Sequence, residues 1–315
     1  MLDGKTVLVT GGAGSFGTAF VERVLTHDIR RVFCYSRDEW KHQQLRDRVS
    51  DNRLRCLLGD VRDRGRLELA MESVDYVVHA AALKRVDVGE FEPEEFKKTN
   101  IDGTYNVCHA ARLSGVQKVV YLSTDKSSAP STSYGSSKYA GEHAVRSFGA
   151  YRSAVRNTLF ACTRYGNVMG SRGSVIPHFR LLASHGAPLP ITSTDMTRFW
   201  MTQAEAVDLV LLALKEMQGG EVFIPKLPAF KITDLAEAID PGGDRELIGI
   251  RQAEKIHESL ISPDEAQHAW DGGDFYVLSQ RDDIDGGSVP REFQYSSDMA
   301  RRLSVDDLRE RLKHV

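Results

Sequence analysis

No apolar stretch in the 315-residue chain approaches the roughly 20 residues that cross a bilayer, which predicts a protein without a membrane span. A surplus of one charge is lacking too. The 41 Lys and Arg against 44 Asp and Glu leave a formal net charge of −3, so no global field draws the chain to nucleic acid or anionic lipid. Cysteine is sparse: Cys34, Cys56, Cys108 and Cys162 stand far apart in apolar runs, with no C-x-x-C pair. Buried free thiols in a reducing compartment are the expectation. No Cys/His cluster has metal-ligand spacing, so no metal is expected. The start, MLDGKTVLVTGG, enters a strand pattern without the charged and apolar regions of a secretory leader. Repeats and low-complexity tracts are missing as well. These absences predict a soluble, cytoplasmic protein.

What the chain does have is alternation. The runs TVLVT (6–10), RVFCYS (31–36), LRCLLGD (54–60), DYVVHAA (75–81), KVVYLST (118–124) and TLFACTRYG (158–166) read as strands buried on both faces. Helical patterns lie between them, at about 65–73, 94–114 and 135–148. This order predicts an α/β fold, a doubly wound parallel sheet with right-handed crossovers. Beyond Gly166 the alternation weakens into loops rich in Gly, Pro and Ser, then a helix at 203–217 and the strand EVFIP. The expected division is a dinucleotide-binding domain over 1–165, rejoined by about 200–225, and a smaller substrate-binding lobe from 166–199 and 226–315.

TGGAGSFG (10–17) spaces its glycines as Gly11-x-x-Gly14-x-x-Gly17, after a strand and at the opening of a helix. Gly11 permits the tight turn, Gly14 a close backbone approach to a pyrophosphate, and Gly17 tight helix–strand packing. The helix N-terminus offers N–H groups and a positive dipole to phosphates. Ala13, Ser15 and Phe16 belong to the same loop. A purely structural turn is the plainer alternative. The second strand ends in YSRDEWK, placing Ser36 and Arg37 at its corner and Lys41 one turn on. A hydroxyl and a guanidinium suit a 2′-phosphate, which favours NADP, while Asp38 leaves NAD open. Asp60 and Val61 stand where such folds hold the adenine. Ala80, Ala81 and Ala82 stand where they line the pyrophosphate and nicotinamide ribose.

The stretch VYLSTDKSSAPSTSYGSSK (120–138) runs from a strand into a helix and gathers Asp125, Lys126, Tyr134 and Lys138. Tyr134-x-x-x-Lys138 puts a phenol and an ammonium one helical turn apart. A free phenol, with a pKa near ~10, is too weak a base at neutral pH, but a neighbouring ammonium and an oxidised nicotinamide favour phenolate. Such a tyrosine takes a hydroxyl proton as hydride leaves the same carbon. Asp125-Lys126 alone would read as an ordinary surface ion pair. His79, His109 and His178 are expected to be structural.

Taken together, GGAGSFG, YSRDEWK, GDVRD, HAAALKRV, KTNIDGT, LSTDK, YGSSK, RYGNVMGSRGSVIPHF, MTRFWMT, GIRQAEKIHESLIS and FQYSSDMARRLSVDDL resemble the extended short-chain dehydrogenase/reductase superfamily. The resemblance is most specific at Ser123-Thr124-Asp125-Lys126, where lysine replaces the usual glutamate of hexose-nucleotide 4,6-dehydratases. There it points to the UDP-N-acetylglucosamine 4,6-dehydratases of the inverting, 5-epimerising branch, which starts pseudaminic acid synthesis. It implies Lys126 as the base at C5 and Asp125 as the acid at the C6 oxygen. Lys126 must then spend time neutral, which burial, Lys138 and the nicotinamide charge would favour. Ser123 and Thr124 would join Tyr134 and Lys138 against a tightly bound, recycled NADP, with Lys84 near both cofactor and substrate. Asn167, Arg198, Arg251 and Glu254 are candidates for the UDP-sugar. A homo-oligomer, dimer or hexamer, is implied. SSAPST and SSKYAGEH depart from the family's usual residues. The alternatives are a retaining 4,6-dehydratase, a 4-epimerase or, more remotely, a non-catalytic NADP-sensing protein.

Overall fold

Residues 6–10 are buried at every position, as a strand covered by helices on both faces requires. This strand, β1 (Thr6–Thr10), is the centre of the molecule. The computed structural model describes residues 1–151, 157–170, 174–250, 254–281 and 286–315. Around β1 stand β2 (Arg31–Ser36), β3 (Leu54–Leu58), β4 (Tyr76–His79), β5 (Lys118–Leu122) and β6 (Leu159–Thr163), all parallel, in the order β6-β5-β4-β1-β2-β3. The topological switch falls between β1 and β4, where open α/β sheets bind ligands at the carboxyl ends of their strands. Val222–Pro225 adds a further parallel strand beside β6.

The sheet then continues with Phe275–Leu278, Ala269–Asp271 and Gly287–Ser288, all antiparallel to their neighbours. These residues were expected in the smaller lobe. Instead Val277 and Leu278 bury themselves in the main core and cover what would be an open edge. A second core, built around Phe179, Leu189, Trp200, Phe230, Leu235 and Leu308, joins the helices Val175–Ser184, Ile232–Ile239 and Val305–Leu312. Phe179, Phe230 and Ile232 of this core line the same cavity as the loop after β1.

The helix expected over 94–114 is broken. Pro93–Phe96 and Gly103–Leu113 are α-helical, and Lys97–Asp102 between them is a π-turn. Its extra residue turns Asn100 inward. There the Asn100 amide donates to Leu83 O (2.9 Å) and Ser137 Oγ (2.9 Å) and accepts from Leu83 N (2.8 Å). The loop after β4 is thereby tied to the helix Ser133–Ala150.

Candidate active site

The glycine loop packs so closely on itself and on the end of β4 that a side chain would collide with backbone. Gly11 has φ +68°, and a Cβ there would lie 2.9 Å from Ala81 N. One on Gly17 would lie 2.5 Å from Gly12 Cα. The helix α1 (Ser15–Leu25) begins at Gly14 with no side chain capping its N–H groups, which leaves them to an anion. The loop's residues 11 and 13–17 open onto one cavity of about 2230 Å³, which also receives Ser36, Arg37, Lys41, Asp60, Val61, Ala80, Ala81, Ala82, Lys84, Ser123, Thr124, Tyr134 and Lys138. Uncapped N–H groups at a tight glycine turn that lines this cavity fit a dinucleotide.

The corner after β2 is already knitted together. Ser36 Oγ lies 2.7 Å from His42 Nε2. Asp38 caps the helix α2 (Glu39–Val49), accepting from Lys41 N at 3.0 Å, and pairs with Lys41 Nζ at 2.6 Å. Asp38 is therefore occupied. Arg37 is half-exposed and holds Asp60 only loosely, at 3.5 Å.

On the reaction side, β5 is followed by Ser123-Thr124 and then by a 3₁₀ turn, Asp125–Ser127. Thr124 Oγ1 donates to Asp125 Oδ1 at 2.8 Å. The next helix starts on top of this turn: Thr132 caps it, and a Cβ on Gly135 would come within 2.4 Å of Lys126 O. Lys126 Nζ reaches three acceptors, Asp125 Oδ1 (3.1 Å), Asn167 Oδ1 (3.3 Å) and Glu258 Oε1 (3.3 Å). Lys126 and Asn167 open onto the cavity; Asp125 lies behind them, buried. Asp125 Oδ2 and Glu258 Oε2 are buried without a hydrogen-bond partner among the described residues.

Two electrostatic expectations are corrected. Burial does work against a charge on Lys126, but the carboxylates of Asp125 and Glu258 outweigh it, and the ammonium is held more tightly than in a free lysine. Lys138, in contrast, is pulled down to about 7 by burial. Its Nζ donates to Leu122 O at 2.6 Å and lies 4.0 Å above the Tyr121 ring. The cation that draws Tyr134 towards phenolate is therefore Lys126; burial and Asp125 oppose it, and the phenol stays above its ordinary value. Burial likewise raises Asp125, against the pull of Lys126.

The candidate substrate residues separate. Lys84 is exposed at the cavity. Arg198 opens onto the cavity but spends its guanidinium on Thr197 O (2.7 Å), Ile256 O (3.0 Å) and Lys255 O (3.0 Å), with Glu254 and Glu258 each 3.7 Å away. It pins the segment 254–258. Arg251 lies outside the described residues. His79 bridges Thr10 Oγ1 (2.7 Å) and Thr104 Oγ1 (3.0 Å) in the core, and His109 packs edge-on against Phe148. His178 opens onto the cavity. Among the described residues no group of His, Cys, Asp or Glu could hold a metal, and no helix is long and apolar enough to cross a membrane.

Sequence reasoning passed over Glu258 and a buried triad, Glu142–Arg164–Glu265. Arg164 Nη2 lies 2.5 Å from Glu142 Oε1 and 2.7 Å from Glu265 Oε1, and Nη1 donates to Leu260 O at 3.0 Å. Glu142 also accepts from Ser127 Oγ at 3.2 Å, bracing the 3₁₀ turn. A signal for the triad existed. Glu142 falls one turn after Lys138 on the buried helix face, and Arg164 closes an apolar strand.

A nucleotide cradle at the switch point, with a tyrosine and lysine one helical turn apart beside it, defines the extended short-chain dehydrogenase/reductase class. Within it, the chain belongs to the polysaccharide biosynthesis protein family, whose model matches residues 7–280. It is 43% identical, over 95% of its length and 94% of the relative's, to the UDP-N-acetylglucosamine 4,6-dehydratase (inverting) of Campylobacter jejuni subsp. jejuni serotype O:23/36 (strain 81-176). It is 41% identical, over 98% of its length and 95% of the relative's, to the UDP-glucose 4-epimerase of Rickettsia canadensis (strain McKiel). The X-ray structure of Pen from Bacillus thuringiensis superposes with a TM-score of 0.92 at 34% identity, covering 100% of this chain and 99% of that one.

Proposed function

We propose that this enzyme is an inverting UDP-N-acetylglucosamine 4,6-dehydratase. It removes water across C5–C6 and releases UDP-2-acetamido-2,6-dideoxy-β-L-arabino-hex-4-ulose. The observation that carries the reading is the Asp125–Lys126 pair, 3.1 Å apart, whose lysine opens onto the same cavity as Tyr134. A 4-epimerase works only at C4 and has no task for a coupled acid and base. The likeness to the Campylobacter jejuni dehydratase supports the same reading. The nicotinamide cofactor supplies oxidation at C4 and reduction at C6.

The residues keep count of the protons. As a phenolate, the form that the charge of a bound oxidised nicotinamide would favour against burial, Tyr134 takes the proton of the 4-hydroxyl, and the resulting ketone acidifies C5–H. In the resting site Lys126 carries the one proton of the pair. Transfer across the short contact to Asp125 leaves a neutral amine and a carboxylic acid, the two forms elimination needs. Burial of Asp125 lowers the cost of that transfer. Lys126 then accepts the C5 proton while Asp125 gives its own to the departing C6 hydroxyl. Water leaves, and the pair again holds one proton, on Lys126; when hydride returns to C6, a solvent-derived proton adds to the opposite face of C5 and completes the inverted product.

NADP is the cofactor of this proposal, recognised at its 2′-phosphate by Ser36, Arg37 and Lys41. Arg37→Ala is expected to weaken NADP by roughly tenfold or more, the value of one charge-assisted contact, while NAD binding changes little. Titration of both cofactors checks this, and equal losses would place the 2′ end elsewhere. The resemblance to the inverting branch carries the remaining readings: a cytoplasmic homo-oligomer, dimer or hexamer, feeding pseudaminic acid synthesis.

Incubation with UDP-N-acetylglucosamine in deuterated water is the decisive test. Mass analysis is expected to show loss of water. Early proton NMR is expected to show the L-arabino configuration, with deuterium at C5 and at C6 the hydrogen from C4. A first product of D-xylo configuration would make the enzyme a retaining dehydratase. An unchanged mass with C4 inverted would make it an epimerase.

A further inference from the structure

Glu258 belongs to neither the cofactor cradle nor the acid–base pair, yet it touches the second. Its carboxylate is buried, with Oε1 3.3 Å from Lys126 Nζ and 3.7 Å from Arg198 Nε. Its backbone is held on both sides: Glu258 N donates to Ser297 Oγ (2.9 Å), and Ser297 N donates to Glu258 O (2.8 Å). The segment before it is tied to the loop after the catalytic turn, since Lys255 Nζ donates to Ser128 O (2.9 Å) and Ala129 O (2.7 Å). Arg198, Glu258, Lys126 and Asp125 thus form a row of charges that alternate in sign, with the reacting amine inside it.

We propose that Glu258 is a positioning residue for the elimination, holding the Lys126 amine in place over C5 and strengthening it as a base. The inference rests on the dehydratase function proposed above. An ammonium has three N–H donors, and Lys126 finds three acceptors in Asp125, Asn167 and Glu258. When one proton passes to Asp125, Glu258 and Asn167 retain the other two N–H groups. The flexible lysine stem stays put, and its lone pair takes the third position, vacated by the proton. Glu258 remains ionised, because Lys126, Arg198 and Lys255 together outweigh the cost of its burial. A fixed negative charge at this distance favours the ammonium that forms as the C5–H bond breaks.

The charged and titratable groups facing Lys126 come from four elements. Asp125 stands on its own turn. Glu258 and Lys255 come from the 254–258 segment, Arg198 from the strand Thr197–Phe199, and Tyr134 from the helix Ser133–Ala150. Glu258→Gln alters one of these charges and keeps the shape. In a wild-type enzyme that dehydrates UDP-N-acetylglucosamine, the variant is expected to lose water roughly 10- to 100-fold more slowly. Oxidation at C4, followed in a single turnover by the absorbance of the reduced cofactor, is expected to keep its rate.

The pH profile carries the test that a structural role would not meet. The active pair holds one proton, so activity falls when a second is gained and when the first is lost. The Glu258 charge raises the proton affinity of both members. Without it, both limbs of the profile are expected to move to lower pH. Glu258→Asp keeps the charge at shorter reach, so its profile is expected to stay in place with a smaller loss of rate. Wild-type rate and profile in Glu258→Gln would overturn the inference, as would an equal loss of C4 oxidation. Should Glu258→Gln not fold, Glu258→Asp decides: a displaced profile, an unslowed elimination or a slowed C4 oxidation overturns it. Failure of the wild-type enzyme to release water from UDP-N-acetylglucosamine is a separate result, which removes the proposed function itself.

Discussion

Lys126→Ala is expected to abolish loss of water while the enzyme still binds its cofactor and still oxidises the sugar at C4. Alanine removes the amine paired with Asp125 and leaves the glycine cradle in place; Tyr134 loses the cation that favours its phenolate, so oxidation at C4 is expected to slow but to persist. A positioned general base contributes roughly 10²–10⁴-fold, and here the loss reaches further. Asp125 then has no partner to exchange its proton with, and Glu258 becomes a buried carboxylate left with Arg198, at 3.7 Å, and the field of Lys255. The expected signature is a burst of reduced cofactor on adding UDP-N-acetylglucosamine, with no product lighter by one water. Near-normal turnover would remove Lys126 from the chemistry. Loss of cofactor binding in the same variant would show instead that the 3₁₀ turn had collapsed.

Arg164→Met is expected to destabilise the fold by about 3–5 kcal/mol, the usual cost of removing one partner from a buried ion pair. Arg164 is fully buried and joins Glu142, on the helix Ser133–Ala150, to Glu265 and Leu260 O from the far end of the chain. Burial alone would push the Glu142 carboxyl up, but the guanidinium overrides it and holds the group down at about 2. A carboxyl depressed on folding stabilises fully above its unfolded value, which is 4.5, and that contribution is lost as pH falls towards 2. In the methionine variant the carboxyl is no longer depressed, and burial drives it up. The gap between variant and wild type is therefore expected to be widest at neutral pH and to shrink in mild acid. Urea denaturation at both conditions measures this. A second change, Glu142→Leu, is expected to restore part of the loss, because the uncompensated charge goes with it. A difference under about 1 kcal/mol would place the triad with ordinary surface pairs.

These two residues mark the limit of what could be read along the chain. Lys126 stood out from its neighbours, since Thr-Asp-Lys after a buried strand is a local pattern and the strand itself announces its burial by composition. Its protonation was misjudged. Glu258 lies in a distant polar stretch, and no periodicity says that KIHES folds back onto the catalytic turn. Arg198 is a similar case: an arginine in TRFW carries no mark of the three carbonyls to which it donates. Helical spacing puts Lys138 and Tyr134 on one face and so points to Lys138 as the cation acting on the phenol. That spacing does not say that Lys138 turns instead to the carbonyl of Leu122.

By itself the sequence determined everything that depends on a few consecutive residues. Apolar runs of strand length, helical spacing and the glycines of the first turn set β1 to β6, the switch point and the dinucleotide cradle, because burial on both faces, helical period and freedom at positive φ are properties of the local chain. Tertiary structure alone decided which charges stand beside one another, and whether the strands at 269–288 joined the main sheet or the smaller lobe. Proton affinity depends on burial and on charges a few ångströms away. For Lys126 those charges include Glu258, brought there from the other end of the chain.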